Sequence, residues 1–130
     1  KRDAFVMRIS EMYLIVAEAD MLNSKMPEAV TYMNTLRAKR AIPGKEAEMA
    51  ISAADMNIDF ILDERARELV GEQLRWFDLK RTNKLIEYVK KYNPDGAANI
   101  KEYHMVRPIP QSQIDAVTNK DEFIQNPFYN

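Results

Sequence analysis

Residues 5–22 read FVMRISEMYLIVAEADML, and this stretch decides the fold. If it forms a helix at about 100° per residue, apolar side chains fall on nearly every side, and the polar wedge holds Arg8, Glu11 and Glu18. A helix with so little polar surface needs neighbours on more than one side to keep its apolar groups out of water. We therefore expect this first helix to lie sandwiched between other helices.

A second helix follows after a short break. Residues 23–25 are Asn-Ser-Lys, Pro27 suits the first turn of a helix, and Pro43 with Gly44 stops it, so we expect a helix that runs to about Ala41. A connection of about four residues between two such helices favours an antiparallel hairpin. The sequence therefore predicts a helix pair within residues 1–44.

Two further helices are predicted within residues 45–92. The third begins at a cap supplied by Asp55 or Asn57 and ends at Gly71, where a left-handed residue is wanted. The fourth is amphipathic and spans residues 75–92 without interruption. These helices and the preceding pair predict an all-α fold.

Residues 93–130 are predicted to form an irregular C-terminal segment. Its expected parts are a turn at 93–96, an extended stretch at 103–106, a short helical turn at 111–117 and an irregular end from 125 onward.

The composition excludes several classes of protein. The chain has 130 residues, 46% apolar and 30% charged, a balance that favours a single globular unit over disorder. Its 19 basic and 20 acidic side chains create no positive field of the kind that attracts nucleic acid, so we expect no nucleic-acid partner. With no cysteine and one histidine, we also expect no metal and no cofactor. No window approaches the run of about 18 apolar residues that crosses a bilayer.

Charged residues that break the apolar pattern are the most informative candidates. Arg65 lies at the centre of the apolar stripe of the third helix, Asp78 points into the apolar side of the fourth, and Arg40 extends the apolar line of the second. A buried charge without a partner is costly, so these groups should pair with one another or with Glu11 and Glu18. We predict that these charged residues form a structural ion-pair network, whose members are Glu18, Arg40, Glu64, Arg65, Glu68, Arg75 and Asp78.

A catalytic carboxylate pair is the competing interpretation of the same residues. Glu64, Glu68, Glu72 and Asp78 cluster in sequence, and glycoside hydrolysis uses two carboxyl groups roughly 5 to 9.5 Å apart. Interleaved arginines depress carboxyl pKa values, however, whereas a general acid needs a raised pKa. We therefore expect no catalytic residues, and His104 is interpreted as a surface or turn residue.

Aromatic side chains offer two further interpretations. A groove that stacks sugars or peptides could use flat rings with polar tips, although such rings more often close a core. The candidates are Tyr88, Tyr92, Tyr103, Phe123, Phe128 and Tyr129. Trp76, close to the break at Gly71, is interpreted as a structural anchor between the third and fourth helices.

Six stretches of sequence together resemble the C-terminal region of the SusD/RagB family. They are EMYLIVAEA at 11–19, NTLRAKR at 34–40, DERAREL at 63–69, GEQLRWFDLKR at 71–81, RPIP at 107–110 and QNPFY at 125–129. The order and spacing of these fragments carry the resemblance, which spans essentially all 130 residues.

The resemblance implies a fold and a function. Members of the family are outer-membrane lipoproteins of Bacteroidetes that capture glycans, or in some branches peptides, at the cell surface for a SusC-like TonB-dependent transporter, and they are not enzymes. Their tetratricopeptide-like helix pairs would include the pair predicted in residues 1–44. The aromatic sugar-binding platform of the family lies mainly upstream of the region matched, so no ligand-binding residue is assigned.

The resemblance also implies that more chain belongs with these residues. The lipid-bearing N-terminal cysteine of the family is absent, so we expect that Lys1 is not the natural start and that the membrane is reached only through a lipid anchor missing from this chain. A free-standing tetratricopeptide-like protein-interaction module is the alternative. Because the first helix is apolar nearly all round, we expect the isolated chain to self-associate or to be marginally stable.

Overall fold

A computed structural model describes residues 7–119 and 121–129, and within these ranges the chain is helical and has no strand. The α-helices are α1 (Ile9–Leu22), α2 (Met26–Ala38), α3 (Ile58–Glu68), α4 (Arg75–Arg81), α5 (Leu85–Tyr92), α6 (Pro94–Ala97) and α7 (Gln111–Ala116), and two 3-10 turns span Glu46–Met49 and Glu102–Met105. The predicted all-α class is confirmed.

The chain divides into two compact units. The first unit extends through Asp78, and the second unit begins at Leu79. Each unit is described by itself. The division predicted at residues 44/45 and 92/93 stays a prediction.

The first unit is built on the pair of α1 and α2. Because only residues 23–25 connect these helices and they pack against each other, they are antiparallel. Helix α1 also contacts α3. The shared core consists of Leu14, Ala17, Ala29, Met33, Leu36, Met56, Ile61 and Leu69.

The predicted sandwiching of α1 is only partial in the first unit. Its side facing the core is buried, but four large apolar side chains of α1 are exposed: Ile9, Ile15, Val16 and Leu22. Among the described residues the helix begins at Ile9, and the predicted start at residue 5 lies outside them. An apolar strip along one side of α1 therefore has no cover from the described chain.

Local backbone chemistry explains where α1 and α2 end. Ser24 has a φ of 61°, and the N–H of Lys25 donates to the carbonyl of Asp20 at 2.8 Å, so α1 closes in a Schellman motif. Helix α2 ends at Ala38 rather than at the predicted Ala41. The loop that follows is attached to α2 by Asn34, whose side chain accepts from the Ile51 N–H at 2.8 Å and donates to its carbonyl at 2.9 Å.

Helix α3 has its N-cap at Asn57, one of the two predicted candidates. The Asn57 side chain accepts from the N–H of Phe60 at 2.9 Å, which satisfies one of the free donors of the first turn. The helix ends at Glu68, three residues before Gly71, whose φ of 82° is in the left-handed region. A side chain at position 71 would be strained in this conformation.

The prediction of one continuous fourth helix is wrong. Residues 75–92 form two helices, α4 and α5, separated at 82–84. Asn83 has a φ of 57°, the Lys84 N–H donates to the Leu79 carbonyl at 2.8 Å, and the Asn83 N–H donates to the Lys80 carbonyl at 3.0 Å. These bonds form a Schellman motif with asparagine in the position that glycine most often takes.

Two expectations for the second unit are also corrected. The stretch at 103–106 is not extended, because its residues lie mostly in the 3-10 turn Glu102–Met105. The turn predicted at 93–96 is the short helix α6, capped by Asn93, whose side chain accepts from the Gly96 N–H at 2.9 Å. Helix α7 occupies the predicted 111–117 region, and the described end of the chain is irregular.

None of the described helices is long and apolar enough to cross a membrane.

Candidate functional site

A buried arginine lies at the centre of the first unit. The Arg65 side chain of α3 is 4% exposed, and its Nε donates to the Asp78 Oδ2 of α4 at 2.7 Å. Its Nη2 lies 3.5 Å from the Glu11 Oε1 of α1. Arg65 of α3 therefore forms ion pairs with carboxylates of two other helices, α1 and α4. Glu18, the other partner considered for it, is also buried, and its role in the network stays a proposal.

Two glutamates of α3, Glu64 and Glu68, accept hydrogen bonds from further arginines of the first unit. The buried Glu64 accepts from the Arg37 Nη1 and from the Arg67 Nη2, each at 2.6 Å. Arg40 is half exposed beyond the end of α2 and binds both oxygens of Glu68, at 2.6 and 2.7 Å. The structure thus brings these groups together as ion pairs: Arg37–Glu64 joins α2 to α3, Arg67–Glu64 lies within α3, and Arg40 binds Glu68 from beyond the end of α2.

The charge around Glu68 sets its protonation. Hydrogen bonds from Arg40 lower the pKa of Glu68, burial opposes this, and the Ser10 hydroxyl and the charges of Arg40 and Arg8 lower it further. Arg8 also donates its Nη2 to the Glu68 carbonyl at 2.7 Å and its Nε to Glu72 at 2.8 Å, and the Glu72 bond is the main cause of a raised Arg8 pKa. A lowered carboxyl pKa suits a permanent anion and not a general acid.

Arg75 and Trp76 lie at the start of α4. The Arg75 Nη1 donates to the Leu62 carbonyl of α3 at 2.7 Å, so this side chain fastens one helix to the backbone of another. Trp76 is half-buried, and its role as an anchor stays a prediction. A cavity of 310 Å³ beside these helices is lined by Arg65, Leu69, Val70, Leu74 and Asp78 among others. No signal in the sequence pointed to this cavity.

The six aromatic candidates separate into different environments in the second unit. Tyr88 is 5% exposed and packs in the interior of the second unit, whereas Tyr92, whose ring centroid lies 5.3 Å from that of Tyr88, is 57% exposed. Tyr103 instead contacts Phe128 and Tyr129, with centroid distances of 5.3 and 5.4 Å. Phe123 is not among these ring contacts.

His104 also belongs to the group of rings around Tyr103, which the sequence did not predict. Its ring centroid lies 4.2 Å from Tyr103 and 6.4 Å from Tyr129. We call Tyr103, His104, Phe128 and Tyr129 the aromatic cluster. As expected, His104 lies in a turn, where its Nδ1 accepts from the Lys101 N–H at 2.8 Å. Within the described ranges no group of three or more acidic or histidine side chains could hold a metal ion.

Side chains of the tail hold the aromatic cluster in place. Gln125 accepts from the Ile109 N–H at 2.7 Å and donates to the Ile109 carbonyl at 2.8 Å. Asn126 donates to the Arg107 carbonyl at 2.6 Å, and the Tyr129 hydroxyl donates to the Val106 carbonyl at 2.9 Å. The last residues are thereby tied to the segment 106–110, which contains the Arg-Pro-Ile-Pro motif at 107–110.

Comparison with known proteins identifies relatives along the whole chain. The family model described as the SusD family matches residues 1–129. Three similar proteins come from Formosa agariphila. SusD-like protein P38 is 35% identical over 91 residues, covering 66% of this chain and 18% of its own length. SusD-like protein P25 is 30% identical over 114 residues, covering 84% and 21%. SusD-like protein P2 is 33% identical over 132 residues, covering 95% and 25%.

These relatives are much longer than the chain. It spans a quarter or less of the length of each, from 18% to 25%. No solved structure shows a significant match to it.

Proposed function

The chain belongs to the SusD family, and we propose from this that it serves in the non-catalytic binding of glycans at the bacterial cell surface. The observation that carries the proposal is the family match over residues 1–129, which includes both units. Peptides are the other ligand class that the resemblance implies. The relatives are several times longer, so the proposal concerns the complete protein encoded by the gene.

The environment of the carboxylates supports a role without catalysis. Glu64, Glu68 and Asp78 accept hydrogen bonds from arginine at 2.6 to 2.7 Å, and Glu68 has a lowered pKa. A glycosidase needs one carboxylic acid whose pKa is raised so that it can protonate the leaving oxygen. The ion-pair network, which includes Glu18, Arg40 and Arg75, is therefore proposed as scaffold.

The proposed partner is a SusC-like TonB-dependent transporter, and the proposed location is the outer surface of the outer membrane. Both proposals rest on the resemblance. In this arrangement the protein would capture a glycan and pass it on, while a lipid anchor outside the 130 residues holds it at the membrane.

One observation favours a second candidate function. The exposed strip of Ile9, Ile15, Val16 and Leu22 on α1 would suit a tetratricopeptide-like module that binds another protein. The complete reading frame separates the two candidates, because a signal peptide that ends in a lipidated cysteine favours the glycan-binding lipoprotein. A neighbouring transporter gene favours it as well.

The direct test uses the protein expressed from its complete gene. Isothermal titration against maltoheptaose, cellohexaose, laminarihexaose, xylohexaose and mannohexaose should give binding to at least one of them, with no release of shorter sugars on long incubation. Hydrolysis that Glu68→Gln abolishes while the fold persists would contradict the non-catalytic role. Co-purification of a tagged copy from its native membranes should recover a TonB-dependent transporter.

A further inference from the structure

Phe128 combines two features that are each unfavourable. Its φ is 70°, a conformation that bulky residues rarely adopt, and its apolar side chain is 78% exposed. The Tyr129 N–H donates to the Asn126 carbonyl at 3.3 Å, so residues 126–129 form a turn with proline second and phenylalanine third. This is the pattern of a type II turn, which normally has glycine or asparagine in third place. Packing against the described residues does not explain the phenylalanine, because its side chain is 78% exposed among them.

The surrounding rings present Phe128 in a fixed orientation. Its ring is inclined by only 31° to that of Tyr103, with the centroids 5.3 Å apart, while Tyr129 meets Tyr103 edge-on at 84°. Gln125 and Asn126 anchor the turn to the backbone of 107–109. The Phe128 ring is therefore exposed and fixed in orientation, and a flat ligand stacks on a ring that has both properties.

Polar atoms border the rings of the aromatic cluster. Because the His104 Nδ1 accepts a hydrogen bond from the Lys101 N–H, the neutral imidazole carries its proton on Nε2, which is a donor. The Tyr129 hydroxyl donates to the Val106 carbonyl, so its oxygen can still accept. Flat apolar ring faces edged by a donor and an acceptor match a sugar ring, which has an apolar C–H face and hydroxyl groups at its edge.

We propose that the aromatic cluster is a carbohydrate-binding subsite in which the Phe128 ring stacks on one face of a pyranose, with His104 Nε2 and the Tyr129 oxygen facing its hydroxyl groups. The proposal rests on the proposed glycan-binding function and adds a subsite to it. A strained backbone held at an exposed ring is the observation that points to a ligand. An aliphatic protein surface would be less well matched, because three of the four rings of the cluster, those of Tyr103, His104 and Tyr129, carry polar atoms.

The test replaces the ring without endangering the fold. Phe128→Gly removes the ring and suits a φ of 70°, so its melting temperature should equal or exceed that of the wild type. Phe128→Leu keeps an apolar side chain without an aromatic face. Phe123→Leu, at a less exposed phenylalanine outside the aromatic cluster, is the matched control. All are made in the protein from the complete gene.

The measurement is titration with whichever of the five oligosaccharides named above the wild type binds most tightly. Both Phe128 variants should bind at least tenfold more weakly, and Phe123→Leu should stay within twofold. The sugar should also shift the NMR signals of the Tyr103 and His104 rings.

Unchanged affinity in Phe128→Gly would overturn the subsite and leave the proposed function intact. A wild type that binds none of the five would overturn both. Loss of a co-purifying protein, with sugar binding unchanged, would assign the ring to a protein contact.

Discussion

The two units are stabilised by different kinds of interaction. In the first unit, arginines and carboxylates of α1, α2, α3 and α4 pair in and around the core, with Arg65 almost fully buried. In the second unit, the tail is fastened by amide and hydroxyl groups that bind backbone atoms near the surface. A buried charge cannot be satisfied by water when its partner is removed, whereas an exposed backbone group can. A substitution that breaks a buried ion pair of the first unit should therefore cost more stability than one that breaks a hydrogen bond of the tail in the second unit.

The largest effect is expected at Arg65. Arg65→Ala removes the guanidinium that donates to the buried Asp78 carboxylate and should lower the free energy of unfolding by about 3 to 5 kcal/mol. Urea denaturation followed by circular dichroism measures this. The control is Arg67→Ala, whose side chain is 57% exposed, and it should cost less than about 1 kcal/mol.

A double variant separates the buried charge from the packing around it. Arg65→Met combined with Asp78→Leu removes both charges and keeps apolar volume, so it should recover much of the stability lost in Arg65→Ala. If Arg65→Ala unfolds at the same urea concentration as the wild type, the ion pair does not stabilise the first unit and the contrast between the units is lost.

The next effect is the pH dependence that Glu68 contributes. Arg40 lowers the pKa of Glu68 in the folded state, so the unfolded chain binds a proton at Glu68 more readily than the folded chain does. The stability that Glu68 contributes is therefore present above about pH 4.3 and is lost as the pH falls through its folded-state pKa. Glu68→Gln should cost about 2 kcal/mol at pH 7 and flatten the loss of stability from about pH 5 downward. Melting curves across this range measure it, and Glu48→Gln, an exposed residue paired with Lys45, should leave the profile unchanged.

The regular helices could be predicted from the sequence, but their interruption could not. The sequence pattern located the end of α1 and both ends of α2 and α3 to within a few residues. It missed the break between α4 and α5, because Leu79, Leu85 and Ile86 continue the same apolar stripe across it. The break depends on the backbone of Asn83, which adopts a left-handed conformation that asparagine allows without requiring it.

The candidate sites were predictable to different extents for a related reason. Arg65 breaks an apolar stripe, so its need for a partner is visible in the sequence, and the structure places Asp78 2.7 Å away. The bond from Arg8 to Glu68 joins residues 60 positions apart, and neither residue signals the other. The aromatic cluster likewise joins residue 103 to residue 128, and nothing local distinguishes its rings from Tyr88, which is buried.

A smaller effect is expected in the second unit at Gln125. Gln125→Ala removes both hydrogen bonds to Ile109, but water can replace them because this region lies near the surface, so the cost should be about 1 to 2 kcal/mol. Hydrogen exchange should show faster exchange of the Ile109 amide, with the amides of α3 unchanged. The exposed Gln113→Ala in α7 is the control. A loss as large as that of Arg65→Ala would show that the two units are equally sensitive.

The smallest effect on stability is expected on the exposed strip of α1, where the change should instead appear in association. Ile15 is 44% exposed, so Ile15→Lys should alter the free energy of unfolding of the 130-residue chain by no more than about 0.5 kcal/mol. The new lysine lies one turn from Glu11 and Glu18, which favours it on the helix. We expect the wild-type chain to self-associate through this strip, because several large apolar side chains lie there in water, and a charge in their midst should shift sedimentation towards the monomer. Ile42→Lys, at an isoleucine that is 69% exposed in a loop, should leave association unchanged. A wild-type chain that stays monomeric at high concentration and melts sharply at high temperature would show that the strip needs no cover.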